Sequence, residues 1–265
     1  MKMKTGVIGC GNMATAIIGG LIKGSFAVPG EITASDRSDG ARRKLAEKYG
    51  VSTKADNKKC VENADVVLLA VKPNVFPVIA KELREALRGK LVISIMAGRS
   101  IADLEAGLGA EQKIVRAMPN TPALVGAGIT GWCANKNVTE GEKKTAGAFI
   151  AAFSEAVELP ESLMPVVTSV SGSSPAFVYM FIEALADGAV AEGMPRDAAY
   201  RFAAKTVFGS AKMVLDTGRH PGELKDMVTS PGGTTIEGVA VLENRGFRAA
   251  ALEAVRAAAK KAREM

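Results

Sequence analysis

Apolar residues follow two different rhythms along this chain. In the first half they gather into short, nearly continuous runs at Lys4 to Ile8, Glu31 to Ser35, Ala64 to Val71, Lys90 to Ala97 and Lys113 to Met118. Runs of that length predict strands of a parallel sheet covered on both faces. Between them lie segments with helical spacing, such as SDGARRKLAEKYG and NVFPVIAKELREAL. Strand and helix alternate, which predicts an α/β doubly wound domain over residues 1–160. From about Met164 onward the strand rhythm stops. Residues 176–192, 196–216 and 235–261, the last interrupted near 244–246, are long, alanine-rich and apolar on more than one side. Helices of that kind have to be buried, and residues 161–265 are too few to bury them. An all-helical second domain packed against another copy of the chain is the expectation.

Composition narrows the class of protein. At 48% hydrophobic and 23% charged, the 265 residues are those of a soluble globular chain. The net charge of +6 comes from basic residues interleaved with acids, as in GARRKLAEKYG and KKAREM, with no dense block. That pattern argues against nucleic acid and supports only mild attraction for small anions. Cys10, Cys60 and Cys133 are scattered, with neither metal-ligand spacing nor a disulfide framework. They are expected to be reduced thiols in a cytoplasmic protein, with no bound metal. The start, MKMK followed by an uncharged stretch from Thr5 to Ile22, has the outline of a signal peptide. Five glycines and Asn12 interrupt it, so a strand, a turn and a helix make better use of these residues than export or a membrane span.

That turn is the first candidate site. Gly9-Cys10-Gly11-Asn12-Met13-Ala14 fits GxGxxA between a strand ending at Ile8 and an apolar helix. The first glycine allows the sharp turn, the second lets backbone approach a pyrophosphate, and the alanine lets helix pack on strand. Further unusual turns close the later strands: Val71-Lys72-Pro73 after Ala70, Ala97-Gly98 after Met96, and Met118-Pro119-Asn120-Thr121-Pro122. Ligands of such sheets bind at the carboxyl ends of the strands, where these turns would meet. At the end of the second strand Asp36 favours the ribose of NAD, while the adjacent Arg37 favours the 2′-phosphate of NADP; Ser38 follows them, and the balance leans to NADPH.

The helical half is poor in acid–base groups. Its one histidine, His220, reads as a cap in RHPGEL, and Glu183 with Asp187 as a helix rim. Gly172-Ser173-Ser174-Pro175 has no histidine or acid nearby to make a hydrolase. TSPGGTT, residues 229–235, has two readings. Thr234 or Thr235 caps the next helix, or the exposed N–H groups of that helix form a socket for a small anion. Chemistry that needs little acid or base help, such as hydride transfer to a protonated imine, suits this inventory.

Taken in order, VIGCGNMA (7–14), AVKP (70–73), SIMAG (94–98), RAMPNTP (116–122), SGSSPAF (171–177), EALADG (183–188) and DMVTSPGGTTIEGV (226–239) resemble the Δ1-pyrroline-5-carboxylate reductase family over nearly the whole chain. The resemblance implies a Rossmann domain followed by a helical dimerisation domain, dimers that often assemble into decamers, and NAD(P)H-dependent reduction of L-1-pyrroline-5-carboxylate to L-proline. It implies that Ser230, Gly233, Thr234 and Thr235 hold the substrate, with Thr235 at the ring nitrogen, and that Glu161 and Thr168 lie near the pocket. It further implies that Ile8 to Met13 grip the pyrophosphate, Asn57 and Ala70 to Pro73 the adenosine half, and Met96, Ala97, Gly98 and Asn120 the nicotinamide region. Ser174 and Asp36 depart from the family pattern. A ketoacid or β-hydroxyacid reductase on the same architecture is the alternative enzyme, and a non-catalytic dinucleotide-binding regulator the alternative of another class.

Overall fold

The computed structural model describes residues 3–265. The chain opens β1 (Thr5–Ile8), α1 (Asn12–Lys23), β2 (Ile32–Ser35), α2 (Asp39–Tyr49), β3 (Ser52–Lys54), α3 (Asn57–Val61) and β4 (Val66–Leu69). It continues through α4 (Phe76–Leu83), β5 (Leu91–Ser94), α5 (Ile101–Leu108), β6 (Lys113–Met118), β7 (Ile129–Ala134), α6 (Glu140–Ala151), β8 (Glu155–Glu158) and α7 (Met164–Val167). Five helices finish it: α8 (Ser174–Ala191), α9 (Arg196–Thr217), α10 (Pro221–Met227), α11 (Thr234–Asn244) and α12 (Phe247–Arg263).

The strands form one sheet in the order β3-β2-β1-β4-β5-β6-β7-β8. Successive residues of a strand point to opposite faces, and each face has its own core. Val7, Leu68 and Ile93 pack towards Ile17 of α1 and Phe149 of α6. Their neighbours Ile8, Leu69 and Val92 pack towards Leu83 of α4 and Leu104 of α5. Burial on both faces explains why these strands read as unbroken apolar runs. The stretch with the outline of a signal peptide is core instead, since Ile17, Ile18 and Leu21 have no exposed surface.

The five strands read from the sequence, β1, β2, β4, β5 and β6, run parallel as expected, and the sheet extends beyond them. β7 runs antiparallel to β6, pairing Val115 with Ala134 and Met118 with Gly131, and β8 lies parallel to β7. The cause is the link between Met118 and Ile129, which holds only a short 3₁₀ turn at Thr121–Val125. A parallel return needs a crossover of a dozen or more residues, whereas a short link reverses the chain.

By contacts the chain forms two units: Met1–Gly172 with Ala258–Met265, and Ser173–Ala257. The division falls later than residue 160 and returns the last residues to the first unit. Within the second unit α8 and α9 pack through small side chains, with Ala186, Ala199 and Ala203 buried. Around that small core Tyr179 (60%), Phe202 (65%) and Leu215 (77%) are left exposed. The run Glu161–Ala191 is long and apolar enough to cross a membrane by length and composition.

Candidate functional site

Gly9 sits where β1 ends, between its neighbours β2 and β4. Its N–H donates to Ser35 O at 2.7 Å, and its φ of 105° lies in a region that favours glycine. A Cβ there would stand 2.7 Å from Ala70 O, so the fold itself requires this glycine. Gly11 is different. It has no backbone strain and is the N-cap of α1, with no side chain covering the first N–H groups of that 12-residue helix. A Cβ added at Gly11 would meet nothing within 4 Å. An open space beside uncapped N–H groups at the positive end of a helix fits a pyrophosphate. Ala14 is buried under the turn, and Cys10, also buried, is pushed up to about 12, by burial first and then by the nearby Asp36 carboxylate. Its thiol is therefore neutral and serves packing.

Asp36 faces this turn. Its Oδ2 accepts from Cys10 N at 2.8 Å and its Oδ1 from Ser38 N at 2.8 Å, so one carboxylate ties the glycine turn to the β2–α2 corner. Arg42 completes the corner, donating through Nη1 to Asp36 O at 2.6 Å and pairing through Nη2 with Asp39 at 2.9 Å. With its guanidinium engaged there and its side chain 16% exposed, Arg42 is scaffold; Ser38 is exposed but caps α2, its Oγ accepting from Ala41 N at 3.2 Å, and Arg37 is exposed. Asn57 lies beside the end of β2, accepting from Ser35 Oγ at 2.7 Å and donating to Glu82 at 3.0 Å.

The later strand ends join the same rim. Ala70 N donates to Ile8 O at 2.9 Å, which locks the start of Ala70–Pro73 to the glycine turn. Pro73 O accepts from Arg99 Nη2 at 3.0 Å, which couples this segment to the one carrying Met96, Ala97 and Gly98. Asn120 is buried, and its Oδ1 accepts from Ile129 N at 3.1 Å, pinning the start of β7. Ile8 to Met13, Asp36 to Ser38, Asn57, Ala70 to Pro73, Met96 to Gly98 and Asn120 thus all sit at or just beyond the carboxyl ends of β1, β2, β4, β5 and β6.

Two residues expected near the substrate belong to this first unit. Glu161 Oε1 accepts from Ile101 N at 2.7 Å and from Arg116 Nη1 at 2.8 Å. Thr168 Oγ1 donates to Met164 O at 2.9 Å and opens a π-helical turn, Thr168–Ser173. A Cβ at Gly172 in that turn would lie 2.8 Å from Met118 Cε. Arg99 and Arg116 were not singled out from sequence. Both adjoin or begin segments that were, SIMAG and RAMPNTP, and their charge beside an otherwise apolar strand was the signal.

The helical unit contains TSPGGTT. Gly233 N donates to Ser230 O at 3.1 Å across Pro231 and Gly232, whose φ is 65°. Proline second and a left-handed glycine third is the order such a tight turn needs. The turn delivers the chain into α11 with Gly233 as N-cap and no side-chain cap, so Thr234 and Thr235 are the first helical residues. This corrects the reading in which either threonine is the cap, because the capping position is one residue earlier and has no side chain. Ser230, Thr234 and Thr235 are exposed. His220 does act as a cap, its Nδ1 accepting from Gly222 N at 3.1 Å at the start of α10. Asp187 pairs with Arg196.

Comparison with known proteins bears on both units. A family described as "Pyrroline-5-carboxylate reductase dimerisation" matches residues 161–265, and one described as "NADP oxidoreductase coenzyme F420-dependent" matches residues 4–98. The chain is 48% identical to the pyrroline-5-carboxylate reductase of Escherichia coli, over 96% of this chain and 95% of that protein. The solved pyrroline-5-carboxylate reductase of Coxiella burnetii superposes with a TM-score of 0.93 at 37% identity, covering 100% of this chain and 98% of the other. The Plasmodium falciparum pyrroline carboxylate reductase, solved with NADP bound, gives 0.91 at 32% identity, with 100% and 98% covered. Shared over its full length with these enzymes, in sequence and in fold, the chain belongs to the pyrroline-5-carboxylate reductase family.

Proposed function

We propose that this chain reduces the C=N bond of L-1-pyrroline-5-carboxylate to give L-proline, the last step of proline biosynthesis, using NAD(P)H. The observation that carries the substrate side is the uncapped start of α11, with Gly233 as N-cap. N–H groups there favour a carboxylate, and a glycine cap keeps the approach clear. Ser230, Gly233, Thr234 and Thr235 hold that carboxylate, and the Thr235 hydroxyl bonds the ring nitrogen as the C=N electron pair moves onto it. A bound nicotinamide supplies the hydride to the imine carbon, the one that becomes C5 of proline. Ile8 to Met13 hold the pyrophosphate, Asp36 to Ser38, Asn57 and Ala70 to Pro73 the adenosine half, and Met96 to Gly98 with Asn120 the nicotinamide end.

NADPH is favoured, with NADH usable, because the Asp36 carboxylate is occupied by the Cys10 and Ser38 N–H groups while Arg37 is exposed. The functional division follows residues 1–160 and 161–265, and the protein is cytoplasmic. Exposed Tyr179, Phe202 and Leu215 support a homodimer through the helical domain, assembling further to a decamer. Oxidation of NADPH by purified protein with pyrroline-5-carboxylate, and none with ketoacids, is the expected result. Turnover of ketoacids alone would favour the alternative reductase, and dinucleotide binding without any turnover the regulator.

A further inference from the structure

The N-terminus of α5 leaves its first N–H groups without intrahelical partners. Ser100 and Asp103 satisfy two of them reciprocally, with Asp103 N donating to Ser100 Oγ at 3.0 Å and Ser100 N to Asp103 Oδ2 at 2.9 Å. The N–H of Ile101 lies between these and is taken by Glu161. The same carboxylate oxygen holds Arg116, whose side chain is 12% exposed. Immediately before this cap comes the segment Met96–Ser100, and the same end of it is held again by Arg99, which reaches Pro73 O and lies 5.9 Å from the Phe76 ring centroid.

From this arrangement we propose that Glu161 is a positioning residue for the dinucleotide, acting through Ile101 and Arg116 on Met96–Ser100, and not a ligand of the imine. The end of the segment that leads into α5 is clamped twice, by Arg99 to the turn after β4 and by Glu161 to the turn after β8. The latter clamp has one centre: both bonds end on a single oxygen. Removing the carboxylate leaves a backbone N–H unpaired and a largely buried guanidinium without its anion, and both losses are relieved by moving the segment. Displacement of that segment changes where Met96, Ala97 and Gly98 stand, and misplacement by a fraction of an ångström at a cofactor site is costly to rate. The inference rests on the dinucleotide reading of the first unit and is independent of which substrate is reduced.

The test is dinucleotide binding without substrate, alongside steady-state kinetics, for Glu161→Ala and Glu161→Gln. Glu161→Ala is expected to weaken NADP binding in calorimetry by about tenfold and to lower kcat, with KM for the imine within about twofold. Glu161→Gln retains an acceptor for Ile101 N–H and a nearly identical shape, so it folds and recovers a substantial part of the binding. Adding Arg116→Met to Glu161→Ala is expected to weaken binding little further, because both act through one centre. Unchanged NADP binding with a raised KM for the imine would overturn the proposal in favour of a substrate ligand. Glu161→Gln binding NADP no better than Glu161→Ala would overturn it too. A wild-type protein that binds NADP but ignores the imine would sink the proposed function and leave this inference standing.

Discussion

The N–H of Cys10 and the carboxylate of Asp36 are joined at 2.8 Å, which turns the acid at the end of β2 towards the glycine turn and leaves the neighbouring Arg37 as the exposed charge. Arg37→Ala is therefore expected to weaken NADPH by about tenfold and NADH by much less, as one charge-assisted contact would give. Asp36→Asn has one acceptor oxygen for two N–H donors and should weaken both cofactors. Paired titrations with NADPH and NADH read this directly; equal losses on Arg37→Ala would show that it does not read the 2′-phosphate.

Gly9 and Gly11 should respond in opposite ways to a side chain. Gly9→Ala forces an L-residue to a φ of 105° and a Cβ to within 2.7 Å of Ala70 O. A loss of about 1–3 kcal/mol of stability is expected. Gly11→Val fills open space and should leave the thermal midpoint nearly unchanged while abolishing dinucleotide binding. Melting and titration of the two variants separate strain from ligand contact.

Thr235→Ala tests the substrate knot. Loss of one hydrogen bond to the reacting ring should lower kcat/KM by about 1–3 kcal/mol in transition-state terms and leave NADPH affinity intact. Because Gly233 is the N-cap, stability should change by less than about 0.5 kcal/mol. A fall in melting temperature with unchanged kinetics per folded molecule would show that the threonine only supports the helix.

The alkaline limb of stability should report the buried thiols. In the fold Cys10 is raised from 9.0 to about 12 and Cys133 to about 11, in both cases chiefly by burial. Above pH 9 the unfolded chain releases these protons and the folded chain does not, so stability is full below that pH and declines as pH rises towards the folded values. Cys133→Ala should flatten the decline in denaturant midpoint between pH 9 and 11. Native Cys10 should also resist iodoacetamide near pH 8, because burial keeps its thiol protonated there.

Exposed aromatic residues on α8 and α9 predict the assembly. Tyr179→Asp with Phe202→Asp should shift light-scattering mass from a multiple of 27.5 kDa towards that of one chain. An unchanged mass would move the contact elsewhere on the helical unit.

Much of this was written in the sequence, for identifiable reasons. Strands such as Val66–Leu69 are buried on both faces and so spell themselves out as apolar runs, and Gly9 announces itself because a turn there demands glycine. The break near 244–246 was visible for the same kind of reason, with Gly246 at a φ of 71° between α11 and α12. β3 was missed because Ser52–Lys54 is three residues long and polar, and β8 because Glu155 and Glu158 face outward. The roles of Arg99, Arg116 and Arg42 depend on partners distant along the chain, which local pattern does not encode. Likewise, nothing local distinguishes Thr234 as first helical residue from Thr234 as cap; the turn at Pro231-Gly232 decides it.

The sheet ends on short strands, β3 with three residues on one side and β8 with four on the other, and both present charge: Lys54 on the first, Glu155 and Glu158 on the second. Unpaired strand edges are templates for another chain, and brevity with charge is how natural sheets blunt them. Growth of the sheet by strand addition from a second copy is thereby discouraged at both ends. The two margins thus keep crowded chains from joining sheet to sheet, the route that leads to fibres.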